Sequence, residues 1–413
     1  MGLIAQAEPY LPRTLLGLAT TAIAPFVAYW IGLTRVPALP TSSEENTGAV
    51  WYAAASCWYE FYQDVILGGN YVKNYPKIHA KYAQTEFTLV MPTFFHEVYA
   101  SRSPYLKDPA FFQISGGISE ALPAIVDVEY HRRRRRMVNN LFSVKAMEAL
   151  SDVVLKVVQN AFRKAAESYD KSVPLDIQRL YTDVTIDTIM QVLCDRQLNL
   201  IDSDEKEPAF LAALRTFSEN FFVLKHFPIL TTIADTLPTS LVEKVIPGEF
   251  EFRKKIKGWT AERAEEHKLG VTRADDVRKT VIDLLLLRPE DGSMALSQQS
   301  ILDETYSFCF AGTHTTSHTM SSGTYYLLRD PTKLEELVEE LKTTAVIKES
   351  LRLSSPVPGI LPRVVPDTGA EWASHYLPPG TPVTVSIRTL KGDDLDHYLV
   401  VFGKGSRACI GLK

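Results

Sequence analysis

Cysteine is scarce in this sequence, and its four residues, Cys57, Cys194, Cys309 and Cys409, stand far apart with no CxxC or comparable spacing. That excludes a disulfide framework or a zinc knuckle as the basis of the fold and fits a body kept in a reducing compartment. An excess of one charge is also lacking. Lys and Arg number 44 against 49 Asp and Glu, giving a net charge of -5, and this balance does not call for a nucleic-acid partner. Internal repeats are absent, as is low-complexity sequence apart from one run of arginines.

What is present is ordinary for a folded protein. The chain has 413 residues, 46% of them apolar, enough for one large helical domain or two to three average ones. From Thr14 to Thr34 there is no charged residue, and Arg13 and Arg35 flank the run. This matches the roughly 20 residues a helix needs to cross a bilayer, and it is longer than the apolar core of a cleaved leader. Pro25 is tolerable in such a helix. Arg35, Lys73, Lys77 and Lys81 outnumber the single Arg13, so the positive-inside tendency places the body in the cytosol. Pro37 and Pro40 then form a stiff hinge. The expected organisation is an anchor and hinge over residues 1–40 and one body over 41–413.

Apolar residues recur at helical spacing over 144–169, 183–193 and 304–330. Late in the chain "TPVTVSIR" alternates Val383, Val385 and Ile387 with polar partners, the period of a half-buried strand. The expected fold class is mainly α with a small β-sheet.

The chemistry concentrates near the end, where "FGKGSRACIG" sets Phe402, Gly405, Arg407, Cys409 and Gly411 in the pattern F-x-x-G-x-R-x-C-x-G. A cysteine that ligates iron must be a thiolate, steadied by N–H donors or positive charge, and glycines permit a tight bulge and a close approach to a flat ring. Upstream, "KESLRL" places Glu349 and Arg352 three apart on one helical face, at ion-pair spacing. In "AGTHTTSH" a glycine, Gly312, precedes His314 and Thr315, and His314 and His318 fall at i,i+4. That spacing could hold a metal, but the glutamate of an H-E-x-x-H helix is missing and Thr315 stands in its place, which argues against zinc hydrolysis. The run "HRRRRRMVNN" begins at His131. Five arginines around a helix leave several facing solvent whatever the others do.

Together these motifs resemble the cytochrome P450 superfamily, in particular fungal microsomal members of secondary metabolism, over nearly the whole chain. The resemblance implies the P450 fold, haem b held by Cys409, and insertion of one oxygen atom from O2 into an apolar small molecule such as a terpenoid or polyketide. By the same resemblance Gly405 forms the bulge, Phe402 shields the sulfur, and Gly411 lets the ring lie close. Arg407, Arg363, His131 and Arg135 meet the haem propionates, with His131 at a position where the family has tryptophan. Gly312 leaves room for dioxygen, and Thr315 relays protons. His314 occupies an acidic residue's place, and an imidazole can also shuttle protons near neutral pH. Glu349 and Arg352 form the family's structural pair.

Implied partners are NADPH-cytochrome P450 reductase, drawn to outward arginines, and the endoplasmic reticulum membrane, spanned once with the body facing the cytosol. Phe111, Phe112, Ile114 and Ile118 would line the substrate pocket or anchor the loop above it.

Three family pieces are not found. There is no leucine-proline-tyrosine connection before "TTAVIKESLRL", no F-x-P-x-R-W segment to complete the triad with Glu349 and Arg352, and no helix beyond Gly411, after which two residues remain. Two further readings therefore stand beside the monooxygenase: a reductase-independent haem-thiolate isomerase or dehydratase, compatible with His314, and a shortened, inactive paralogue.

Overall fold

The computed structural model describes residues 58–69, 92–112, 118–203, 208–227, 247–271, 279–287, 295–340, 343–357, 361–372, 375–385 and 401–412, with single positions among 71–74 and 230–244. The apolar run 14–34, the hinge, Ile114 and Ile387 lie outside the described residues. No helix among the described residues is long and apolar enough to cross a membrane.

Residues 1–73 and 74–413 form separate compact units. In the first, a helical turn α1 (Trp58–Phe61) runs into a π turn, Tyr62–Ile66. The second carries the body. Its helices are α2 (Pro92–Val98), α3 (Pro109–Phe112), α4 (Val128–Asn139), α5 (Val144–Glu148), α6 (Ser151–Asp170) and α7 (Ile177–Cys194). They continue with α8 (Ala209–His226), α9 (Pro247–Leu269), α10 (Val281–Leu286), α11 (Gln298–Arg329), α12 (Pro331–Glu340) and α13 (Thr343–Ser354).

The axis of this body is α11. Its 32 residues span about 48 Å at the usual rise. Ser297 caps its start by accepting from the Ser300 N–H at 2.9 Å, which satisfies one of the orphan donors of the first turn. From Ser300 to Cys309 nearly every side chain is buried, because α7, α9 and α10 close around that half. The main core joins α7 residues Ile186, Met190 and Leu193 to Tyr306, Phe308 and Cys309 of α11 and to Phe252 and Ile256 of α9. The helix expected over 144–169 is broken in two at Ala149 and Leu150.

The small sheet is antiparallel, in the order β1 (Leu106–Lys107), β2 (Arg363–Val364), β5 (Pro382–Val383). Leu106 pairs with Val364 and Lys107 with Arg363. A separate hairpin pairs β3 (Ala370–Trp372) with β4 (His375–Leu377). The alternation read from "TPVTV" holds, with Val383 and Val385 both buried. They join Phe94, Phe95, Val98 and Tyr99 of α2 and its end in a second apolar cluster. The Tyr99 hydroxyl donates to the Leu361 carbonyl at 2.9 Å, pinning the sheet to this helix.

Candidate functional site

The cysteine loop is built by its glycines and closed by its own backbone. Gly403 and Gly405 both adopt positive φ, at 67° and 70°. The Ala408 N–H donates to the Gly405 carbonyl at 3.1 Å and the Cys409 N–H to the Phe402 carbonyl at 2.7 Å. At Gly405 only glycine fits for a second reason. A Cβ there would stand 2.3 Å from the Tyr99 carbonyl oxygen, against backbone that cannot yield. The loop so folded leaves Cys409 exposed, with its thiol presented outward. Gly411 has no such constraint, since its Cβ would meet the Cys409 sulfur only at 3.8 Å. Phe402 contributes its carbonyl to the loop closure.

Helix α4 grips the loop at two levels. Asp127 caps the helix by accepting from the Tyr130 N–H at 2.5 Å. Just ahead of the cap, the carbonyls of Ile125 and Val126 accept from the Arg407 guanidinium at 2.9 and 2.8 Å. Two turns into the helix, Arg135 donates to the Ala408 carbonyl at 2.7 Å. Burial lowers the Arg135 pKa, and the nearby Cys409, as thiolate, opposes that shift.

The five arginines of the run divide by helical phase. Arg132, Arg133 and Arg136 are exposed, Arg135 is half-buried, and Arg134 is fully buried. Arg134 turns to Glu304 of α11, Nε to Oε2 at 3.9 Å, an ion pair longer than a hydrogen bond. Glu304 also accepts from the Leu122 N–H at 3.0 Å. Burial pushes its carboxyl up to about 7, partly opposed by the Arg134 charge and the Leu122 bond. This pair was not foreseen in the sequence.

Around His131 the cations converge. His131 is buried, and its pKa is pushed down to about 3 by burial first and then by Arg407, Lys107 and Arg135. Arg363 is buried, its guanidinium 4.9 Å from the Tyr99 ring and 5.5 Å from the Phe112 ring. Burial and the Arg363 charge bring Arg407 down to about 10, with Asp127 opposing. Among the described residues no carboxylate lies within ion-pair distance of Lys107, Arg135, Arg363 or Arg407. Buried cations without counter-ions are costly, so the site as folded suits a ligand bearing carboxylates. An outward cysteine beside such a cluster fits haem, which offers an iron to the sulfur and two propionates to the cations.

Other expected residues take different surroundings. The missing side chain of Gly312 makes room for Ile189 of α7, whose Cδ1 would lie 2.9 Å from an added Cβ. Thr315 donates its hydroxyl to the Ala311 carbonyl of its own helix at 2.8 Å, leaving only its lone pairs for a relay. His314 lies over the Phe310 ring at 5.1 Å, its Nε2 is buried with no hydrogen-bond partner, and burial lowers its pKa. His318 turns instead toward the Ser354 carbonyl at 3.3 Å, so the two histidines do not form a metal pair.

The Glu349 and Arg352 pair forms, with Arg352 Nε donating to Oε2 at 2.8 Å and Nη2 to Oε1 at 2.5 Å. Both side chains are close to half exposed, at 49% and 44%. Of the expected pocket residues, Ile118 is absorbed in the main core, Phe111 lies against Phe221, and Phe112 sits under two cations.

A mainly helical body with one long central helix, and an exposed cysteine clasped by an arginine-bearing helix, defines a haem-thiolate class of protein. Kinship agrees. The cytochrome P450 family pattern matches residues 73–398, a stretch that stops short of the cysteine loop. Cytochrome P450 monooxygenase BOT1 of Botryotinia fuckeliana is 56% identical over 459 residues, covering 100% of this chain and 90% of the relative. Cytochrome P450 monooxygenase ankB of Aspergillus thermomutatus is 28% identical, covering 87% of this chain and 78% of that one. The crystal structure of the cytochrome P450DA heme domain shares the fold at a TM-score of 0.66 and 17% identity, over 90% of this chain and 86% of that chain. The chain belongs to the cytochrome P450 family and is a monooxygenase of the fungal secondary-metabolite type, with thiolate-ligated haem as its cofactor.

The BOT1 alignment is longer than the 413 residues of this chain, so it steps over segments that the relative has and this chain has not.

Proposed function

We propose that the protein inserts one oxygen atom from O2 into an apolar small molecule, a terpenoid or polyketide of a fungal biosynthetic pathway, with electrons supplied from NADPH through a separate flavoprotein reductase. The observation that carries this reading is the exposed Cys409 set beside Arg135 and near Lys107, Arg363 and Arg407, none of which has a carboxylate within ion-pair distance among the described residues. Haem supplies the oxygen activation. Cys409 would hold the iron, while Arg363, Arg407 and His131 would hold the propionates. Arg132, Arg133 and Arg136, exposed on one helix, support docking of an acidic electron donor, since charge complementarity raises encounter rates. The apolar run 14–34 supports a single-pass anchor in the endoplasmic reticulum with the body in the cytosol.

Proton delivery falls to His314 and Thr315. A neutral imidazole with a free nitrogen can pass a proton that a carboxylate would pass elsewhere, and the Thr315 oxygen retains acceptor capacity. The same free imidazole favours a second reading, a reductase-independent isomerase or dehydratase. The segments stepped over by the BOT1 alignment favour a third, a chain that no longer holds haem.

Reduced protein under carbon monoxide separates these. A full-strength thiolate-haem Soret band at one haem per chain, lost in Cys409→Ser, upholds the haem-thiolate reading, and a missing band in the parent chain supports the inactive one. Product formation that stops without NADPH and reductase upholds the monooxygenase, whereas turnover in their absence supports the isomerase or dehydratase.

A further inference from the structure

The segment 118–127 is built of turns, with neither helix nor strand, yet Ile118, Ala121, Leu122, Ala124 and Ile125 are all buried in it. Its backbone serves two neighbours at once. On one side its N–H groups meet carboxylates of α11, that of Glu120 donating to Asp303 Oδ2 at 3.1 Å and that of Leu122 to Glu304 Oε2 at 3.0 Å. On the other side the carbonyls of Ile125 and Val126 accept from Arg407, two residues ahead of Cys409. One short segment thus joins the central helix to the cysteine loop.

A second connection runs beside it through α4. Arg134 and Arg135 are consecutive, so about 100° of helix separates their side chains. Arg134 goes to Glu304 of α11, and Arg135 goes to the Ala408 carbonyl. Among the described residues Glu304 is the carboxylate that answers the Arg134 charge, while Nη2 donates to the Tyr130 hydroxyl at 2.9 Å within α4. The Nε and Nη1 of Arg134 make no hydrogen bond. Both members of the pair are fully buried, so it fixes the phase of α4 against α11. A helix turned to release Arg134 would carry Arg135 away from Ala408.

We propose that Glu304 is a positioning residue for the iron ligand: through Leu122 and Arg134 its carboxylate holds segment 118–127 and α4 where Arg407 and Arg135 close the loop that presents Cys409. This rests on the haem-thiolate reading. Glu304 is faced by Arg134 of α4 and by the Leu122 N–H, with Asp303 beside it on α11. Asp303 in turn meets Arg253 of α9 at 3.7 Å and accepts from Gln299 at 2.7 Å, and Glu120 accepts from the Ser297 hydroxyl at 3.1 Å. Hydrogen bonds to an ionised carboxylate are about twice as strong as neutral ones. Burial pushes the Glu304 carboxyl up to about 7, against Arg134 and the Leu122 bond. As pH falls through that value the carboxylate takes a proton, and its hold on both partners loosens.

The test is spectroscopic, not turnover. The full chain is loaded with haem, reduced and placed under carbon monoxide, and the ratio of the thiolate-type band to the band of a neutral sulfur ligand is read from pH 6 to pH 8. In the parent the ratio is expected to fall about threefold from pH 8 to pH 6, within the range by which packed networks couple distant groups. Glu304→Gln, neutral at every pH, is expected to keep the low ratio throughout. Glu304→Asp retains a carboxylate and is expected to recover part of the ratio at pH 8 together with its pH dependence. Asp283→Asn is the control for general destabilisation, because it alters a buried carboxylate whose partners Arg263 and His267 lie on α9. Its ratio is expected to stay within about twofold of the parent, as for an independent site.

A parent ratio that does not change with pH, a Glu304→Gln ratio equal to the parent's at pH 8, or an equal loss in Asp283→Asn overturns the proposal. So does a Glu304→Gln ratio that follows the parent's pH profile, since the titrating group is then another. Should Glu304→Gln lose its helical circular dichroism, Glu304→Asp decides: a ratio that falls toward pH 6 upholds the proposal and one insensitive to pH overturns it. A parent chain that shows neither band overturns the haem reading itself, and the positioning role with it. Bands present in the parent and unaltered in every Glu304 variant overturn the positioning role alone.

Discussion

The Arg135 guanidinium donates to the carbonyl of Ala408 at 2.7 Å, and this bond ties the arginine-run helix to the residue that precedes the cysteine. It makes Arg135 a support of the thiolate loop.

Replacing Arg135 with Met should therefore act on the sulfur. The expected outcome is a loss of at least about half of the thiolate-type carbon monoxide band, because a thiolate needs nearby positive charge to persist. Difference spectroscopy of the reduced protein under carbon monoxide reads the loss.

At Gly312 the structure expects crowding with Ile189. Gly312→Ala should destabilise the apoprotein by about 1–3 kcal/mol, the usual range for overpacking in a fitted core. Ile189→Ala should lose stability alone by leaving a cavity. The double variant should be more stable than the sum of the two by about 1 kcal/mol, measured by urea unfolding, since the added methyl then enters vacated space.

The buried pair Arg134 and Glu304 couples stability to pH. Glu304→Gln stands in for the protonated carboxyl and should change stability by about 1 kcal/mol or less at pH 5, where folded Glu304 is mostly protonated. The pH dependence follows from the raised carboxyl. Between the ordinary 4.5 and about 7 the unfolded chain has already released the proton that folded Glu304 keeps, so this group makes stability fall as pH rises through that window. Unfolding free energies from pH 5 to 8 should lose that component of slope in the Gln variant.

Glu349→Gln should do little to the folded chain as it stands. Its partner Arg352 is close by, yet both side chains are almost half exposed, and exposed pairs contribute about 0–1 kcal/mol. Thermal unfolding that shifts by more than about 5 °C would contradict this surface assignment.

Much of the fold was legible because it rests on local signals. The helical spacing around Phe308 and Cys309 and the alternation of Val383 and Val385 survive whatever packs on them. The cysteine loop was legible too, since its glycines, Gly403 and Gly405, meet a backbone requirement that few other residues can. Lys107 and Arg134 were not. One lies in a strand too short to show a period, and the other is one of five identical residues whose burial depends on which face of α4 meets Glu304. Hydropathy ranks Lys107 below Leu106 for burial and the structure reverses them.

By itself the sequence determined the haem-thiolate family, the cysteine and the helical class, because these depend on residue type at close spacing. Only the tertiary structure decided which arginine turns inward to Glu304, which one holds Ala408, and that a lysine on a neighbouring strand stands opposite Arg363. Such pairings join residues far apart in the chain, and their distances are set by how α4, α11 and the sheet pack, which no local pattern encodes.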